Sequence, residues 1–143
     1  MKQITIIVVD DHPLIRKAWG FTINQDARFR VIAESESAET AFELTKQLCP
    51  DIVLMDVNLR GMSGIEATQL IRKCCPGSKI IGLSFHIRPE YANKMIECGA
   101  SGYLCKSSSP DEIFRAIIEV HNGGIFICNE VTHAPNTGEN QAK

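Results

Sequence analysis

Short apolar runs alternate along this chain with stretches whose apolar residues recur three and four positions apart. The runs cover residues 4–9, 30–34, 52–55, 79–84 and 102–104, each of strand length. Between them, Ile15, Ala18, Trp19 and Thr22 fall on one helical face, as do Ala38, Ala41, Phe42 and Thr45. Ala67, Leu70, Ile71 and Cys74 predict a third helix, and Ala92, Met95 and Ile96 a weaker fourth. Ile113, Ala116, Ile117 and Val120 predict a fifth. Pro13, Pro89 and Pro110 suit first-turn positions, where the missing N–H has no helical partner to lose. Ser109 and Glu112 have the spacing of a capping box, and Gly123-Gly124 ends the fifth helix. The first and third runs are almost wholly apolar, the pattern of strands covered on both faces. Five strand–helix units in succession predict an α/β fold, a doubly wound parallel sheet of five strands with five helices. From Asn129 the segment "NEVTHAPNTGENQAK" loses periodicity and turns polar. It reads as a linker or tail, so the expected division is a domain over 1–128 and a polar linker over 129–143.

Composition narrows the function classes. With 143 residues, 44% hydrophobic and 22% charged, the chain is one ordinary globular domain. A net charge of −2 without a basic stripe argues against nucleic-acid binding within these residues. Six cysteines occur without a C-x-x-C pair, and four sit at apolar-face spacing. They read as free thiols packed like small hydrophobes, in keeping with a reducing cytoplasm. The opening "MKQITIIVV" is too short and wrongly flanked for a signal peptide, and no run approaches a membrane span. A soluble, cytoplasmic protein with no membrane partner is expected.

The chemistry gathers at strand ends. In an open parallel sheet, ligands bind beyond the carboxyl ends of the strands, where the strand order reverses. The first strand ends at Asp10-Asp11, the third at Asp56, the fourth at Ser84 and the fifth at Lys106. Taken alone, Asp10 and Asp11 read as solvated acids at a helix N-terminus, Lys106 as a surface lysine and Ser84 as an ordinary strand-ending serine. Their coincidence at one sheet edge outweighs those readings. Three carboxylates repel one another unless a hard divalent cation such as Mg²⁺, which takes oxygen ligands, offsets them. With Mg²⁺ and Lys106 present, Asp56 can act as a carboxylate nucleophile toward a phosphoryl group. Ser84 offers a hydroxyl to the product. His12 and His86 lie nearby in sequence, but with no third ligand at metal spacing they read as solvated or orienting imidazoles.

The segments "VVDDHP", "DIVLMDVNLRGMSGIE", "IIGLSFH" and "GASGYLCK" together resemble the receiver domains of two-component response regulators, over roughly residues 4–124. The resemblance implies a flavodoxin-like sheet in the order 2-1-3-4-5. It implies Asp56 as phospho-acceptor, fed by a sensor histidine kinase. Asp11 and Asp56 would ligate Mg²⁺ directly, Asp10 through a water, and Asn58 through its backbone carbonyl. Ser84 would be the switch hydroxyl, Lys106 the lysine that contacts the phosphoryl, and Tyr103 the switch aromatic. "DDHP" and "GASGYL" resemble the NarL/FixJ-type branch, whose members usually add a C-terminal helix-turn-helix. That implies a transcriptional output, a homodimer formed on phosphorylation, and DNA contact only through residues beyond this chain. The alternative is a stand-alone receiver serving as a relay or adaptor. Two departures stand out: Ser107 follows the lysine where proline is common, and Ser84 stands where threonine is commoner.

The resemblance implies a signalling switch that catalyses only its own phosphorylation and dephosphorylation. An aspartyl-phosphate hydrolase needs an acid two residues after its nucleophile, and Asn58 stands there. A flavin carrier on this fold needs a Ser/Thr/Gly-rich phosphate loop after the first strand, where Asp10 and Asp11 would repel the phosphate.

Overall fold

The computed structural model describes residues 2–86 and 88–132. Its elements are β1 (Ile4–Val9), α1 (Pro13–Asn24), β2 (Phe29–Ser35), α2 (Ala38–Leu48), β3 (Ile52–Asp56) and α3 (Gly64–Cys74). They continue with β4 (Lys79–Ser84), α4 (Pro89–Glu97), β5 (Gly102–Cys105), α5 (Pro110–His121), β6 (Phe126–Ile127) and α6 (Asn129–Thr132). The strands form one parallel sheet in the order β2-β1-β3-β4-β5-β6. The doubly wound fold class and the 2-1-3-4-5 core are as expected, and the strand count needs correction. The sixth strand, only Phe126–Ile127, was missed because two residues show no periodicity. It pairs with Gly102 and Tyr103, so β5 is not an edge strand.

The apolar runs are buried because helices cover both faces. α1 packs with α5, while α2, α3 and α4 pack side by side. Ile6, Ile7, Ile52, Val53, Leu54, Met55, Ile80 and Ile81 are all fully buried. The helix signals act as the residues suggest. Ser109 Oγ accepts from the Glu112 N–H at 3.2 Å. Ser63 and Glu66 form a full capping box at the start of α3, which the sequence reading did not single out. Of the six free cysteines, Cys105 and Cys128 are buried as small hydrophobes, but Cys49 and Cys74 are exposed, which corrects the uniform packing expected. Asn129–Thr132, the start of the expected linker, form one helical turn that buries Val131, and Asn129 N–H donates to Glu112 Oε2 at 2.6 Å. Residues 133–143 of that segment lie outside the described residues. Among the described residues no helix is long and apolar enough to cross a membrane.

Candidate functional site

The order β2-β1-β3 places the reversal of strand order between β1 and β3, and the carboxylates stand at that junction. Asp10 and Asp56 are buried at the ends of their strands. Lys106 follows β5 and reaches back across the sheet edge between them. Its Nζ lies 2.8 Å from Asp10 Oδ2 and 3.0 Å from Asp56 Oδ2, and its side chain is only 2% exposed. The Lys106 backbone is fixed by a 2.9 Å hydrogen bond from its N–H to the Ser84 carbonyl. The geometry thus brings Asp10, Asp56 and Lys106 into one buried triad.

Each carboxylate is held differently. Asp56 Oδ1 accepts the Asn58 N–H at 2.9 Å, and its Oδ2 accepts from Lys106. Asp10 Oδ1 accepts the His12 backbone N–H at 2.8 Å and lies 2.9 Å from the His12 Nδ1. Its other oxygen has the Lys106 ion pair and no hydrogen bond. Asp11 is partly buried, 3.1 Å from His12 Nδ1, and the exposed Arg60 stands 3.9 Å away.

These surroundings split the two buried acids. Burial pushes the Asp56 carboxyl up, against the Asn58 N–H and the Lys106 ammonium, and the raised direction prevails. Burial pushes Asp10 up too, but Lys106 and the two His12 donors outweigh it and hold the group below its usual range. Lys106 loses solvation yet is held above its usual value by Asp10 and Asp56.

The donors fit a divalent cation. Three carboxylates against one ammonium leave an excess of two negative charges. Asp10 Oδ2 and Asp11 Oδ1 are buried without a hydrogen-bond partner, so lone pairs remain for a ligand. Donor atoms of Asp10, Asp11, His12 and Asp56 all lie within 4.8 Å of one another. His12 was read from the sequence as a solvated or orienting side chain. The structure puts its ring inside the cluster, because the tight turn after Asp10 folds it back over the two acids.

Ser84 ends β4 beside the site, and its Oγ accepts the His86 N–H at 2.9 Å and lies 3.5 Å from Asn58 Nδ2. The Tyr103 hydroxyl donates to the His86 carbonyl at 3.1 Å, so Ser84 and Tyr103 bind the N–H and the carbonyl of the same residue. Tyr103 is fully buried, not the wetted edge residue that a short terminal strand would carry, and β6 pairs along its strand. Burial pushes its phenol up to about 12. Gly64 opens α3 close behind Asp56. A Cβ there would collide with the Asp56 carbonyl oxygen, so only glycine lets α3 start against the Asp56 backbone. Phe85 completes the rim, 60% exposed, its ring 5.4 Å from Lys106 Nζ.

Residues 6–118 match the family model described as the response regulator receiver domain. The chain belongs to the receiver domains of two-component response regulators. It is 36% identical over 131 residues to the transcriptional regulatory protein DegU of Brevibacillus brevis, covering 92% of this chain and 56% of that protein. It is 32% identical over 129 residues to the response regulator UvrY of Escherichia coli (strain K12), covering 90% of this chain and 59% of that one. The chain thus spans a little over half the length of these curated relatives. Among solved structures, a LuxR-family two-component response regulator from Aurantimonas sp. SI85-9A1 superposes with a TM-score of 0.88 at 34% identity, covering 99% of this chain and all of that one. The signal receiver domain of NarL from Mycobacterium tuberculosis follows at 0.82 and 28%, covering 86% and 99%. These likenesses bear out the NarL-type branch expected from "DDHP" and "GASGYL".

Proposed function

We propose that this receiver takes a phosphoryl group onto Asp56 from a sensor histidine kinase, aided by Mg²⁺, and relays the change through Ser84 and Tyr103. The Asp10–Lys106–Asp56 triad carries the reading. It buries a carboxylate nucleophile beside a fixed ammonium and a second buried acid, with Asp11 Oδ1 close by and free of a hydrogen bond. Asp10, Asp11, Asp56 and the Asn58 carbonyl would hold Mg²⁺, which supplies neutralisation of charge on the transferring oxygens.

An Asp56 oxygen attacks the phosphorus. The new O–P bond forms as the donor's bond to phosphorus breaks, and the donor's leaving atom takes the electron pair. Lys106, already 3.0 Å from Asp56 Oδ2, stabilises the charge on the incoming oxygens as a point charge. The Asn58 N–H holds the other carboxylate oxygen in place. Acetyl phosphate with Mg²⁺ should retard the protein on a phosphate-affinity gel, and EDTA should abolish the shift. Equal labelling in EDTA would sink the metal-dependent reading.

The relay follows from the shared grip on His86. Drawing the Ser84 hydroxyl toward a new phosphate takes it from the His86 N–H, and the carbonyl of the same residue is tied to Tyr103. The face of α4, β5 and α5 would then change shape, and a second copy or another partner shifts the equilibrium by its differential affinity for the two shapes. Ser84→Ala should still be phosphorylated, but beryllofluoride with Mg²⁺ should change its self-association far less than in the wild type. A full response in Ser84→Ala would remove the hydroxyl from the relay. The role of DegU as a transcriptional regulatory protein, and the greater length of the relatives, support a transcriptional output through a DNA-binding segment beyond these residues. The adaptor reading remains the alternative, and the length of the natural reading frame discriminates them.

A further inference from the structure

We propose that Cys49, Cys74 and Cys75 form a thiol–disulfide exchange site, separate from the phosphoryl chemistry, that takes a small-molecule disulfide and closes into a Cys49–Cys75 crosslink. The three residues line one open cavity of about 400 Å³, together with Lys46, Asp51 and Ser78. The cavity lies at the opposite end of the parallel sheet from Asp56, where α2 leads into β3 and α3 into β4. Cys49 caps the C-terminus of α2, Cys74 is the last residue of α3, and Cys75 caps that helix. The two loops are bound to each other. Ser78 Oγ donates to the Pro50 carbonyl at 2.6 Å, and the Lys79 N–H donates to the Asp51 carbonyl at 3.0 Å. Thiols from two helices are thus held on the walls of one clamped cleft.

Access and environment divide the roles. Cys49 and Cys74 are exposed and Cys75 is half-buried, whereas Cys105 and Cys128 are buried in the core. Cys98, also half-buried, ends α4 and does not line the cavity. Cys49 has a left-handed backbone, φ 49°, alone among the described non-glycine residues. Glycine or asparagine takes that place at least cost, so the thiol is kept against backbone strain. Burial and the sulfurs of Cys74 and Cys49 push the Cys75 thiol up, while the Lys46 ammonium works against them. That influence requires both sulfurs to stand near Cys75. The exposed Cys49 thiolate attacks one sulfur of the small disulfide, and the other sulfur leaves as a thiolate with the bonding electron pair. Capping Cys49 in this way removes a like charge from beside Cys75 and favours its thiolate. The Cys75 thiolate then attacks Cys49 Sγ, and the second small thiolate leaves. Two protein thiols become one disulfide, the small disulfide becomes two thiols, and the protein's two protons pass to the departing thiolates.

Incubating the whole chain with glutathione disulfide and a chelator, then measuring intact mass and mapping peptides, tests this. The proteins compared are the wild type, Cys49→Ser, Cys75→Ser and Cys98→Ser. The wild type and Cys98→Ser should lose two hydrogens and yield a peptide joining Cys49 to Cys75. Cys75→Ser should stop at the glutathione adduct on Cys49, raising that adduct at least about tenfold over the wild type. Cys49→Ser should form no crosslink. The oxidised wild type should melt several degrees above the reduced form, and dithiothreitol should reverse the change, because the crosslink restrains the unfolded chain. A Cys74–Cys75 pairing in the wild type, or a crosslink in Cys75→Ser as abundant as the wild type's, would overturn the role of Cys75. Adducts spread over the exposed thiols without any crosslink would overturn the site. The wild-type map decides the pairing by itself, whatever the stability of the variants.

Discussion

A chain carrying Asp56→Asn should remain at background labelling with acetyl phosphate and Mg²⁺ under conditions that fully shift the wild type. Asp56 is the carboxylate that both ends β3 and lies against the Lys106 ammonium with its partners in place. Asp10 sits as deep but is committed to His12 on one oxygen and to Lys106 on the other. The same substitution should alter the dependence of stability on pH. Burial raises the folded-state pKa of Asp56 above its unfolded value, so folding favours the protonated form. That contribution is present below the unfolded pKa and is lost as pH rises through the folded one. Wild-type stability in metal-free buffer should carry this loss, and Asp56→Asn, which never ionises, should lack it. Thermal melts of both proteins across the acidic and neutral range would show the difference. Labelling of Asp56→Asn at the wild-type level would move the acceptor elsewhere, and parallel pH curves would remove the strained carboxylate.

Lys106→Met should cost the most stability of any single change at the site. Methionine keeps much of the stem volume, so the charge alone is removed. Two buried carboxylates then face each other without their shared cation, and breaking a buried ion pair costs about 3–5 kcal/mol. The lower figure applies here, because one carboxyl can take up a proton and limit the repulsion. About 3 kcal/mol corresponds to a fall in Tm of roughly 10 °C for a domain of this size. Mg²⁺ should recover part of the loss, since it offsets the same charge. Phosphoryl transfer should fall steeply as well, with Asp56 deprived of its point charge. A melt within a degree of the wild type, or one unmoved by Mg²⁺, would contradict the triad.

The strand runs and helix faces were legible because both periods are written directly in residue order. Apolar runs such as 52–55 can satisfy their backbones and bury both faces only as central strands. Asp10, Asp11, Asp56, Ser84 and Lys106 were legible for a related reason: each directly follows or ends such a run, and a parallel sheet brings those ends to one edge. The strand-end cluster and the family were therefore legible before any geometry.

Other features depend on contacts between distant segments. β6 has too few residues to show a period and exists because Gly102 and Tyr103 offer it a partner. The burial of Tyr103 and its bond to His86 likewise join segments far apart in the chain. The need for glycine at residue 64 appears only where α3 meets the Asp56 backbone. His12 enters the acid cluster through one turn's geometry, which spacing along the chain does not encode. The opposite shifts of Asp10 and Asp56 arise from the same Lys106 acting on acids with different burial and different N–H donors. Sequence by itself determined the fold class, the sheet edge and the identity of its charges, because these rest on local period and strand direction. The tertiary structure decided how those charges are paired and which of them stay unpartnered, because electrostatics acts through space between side chains far apart in the chain.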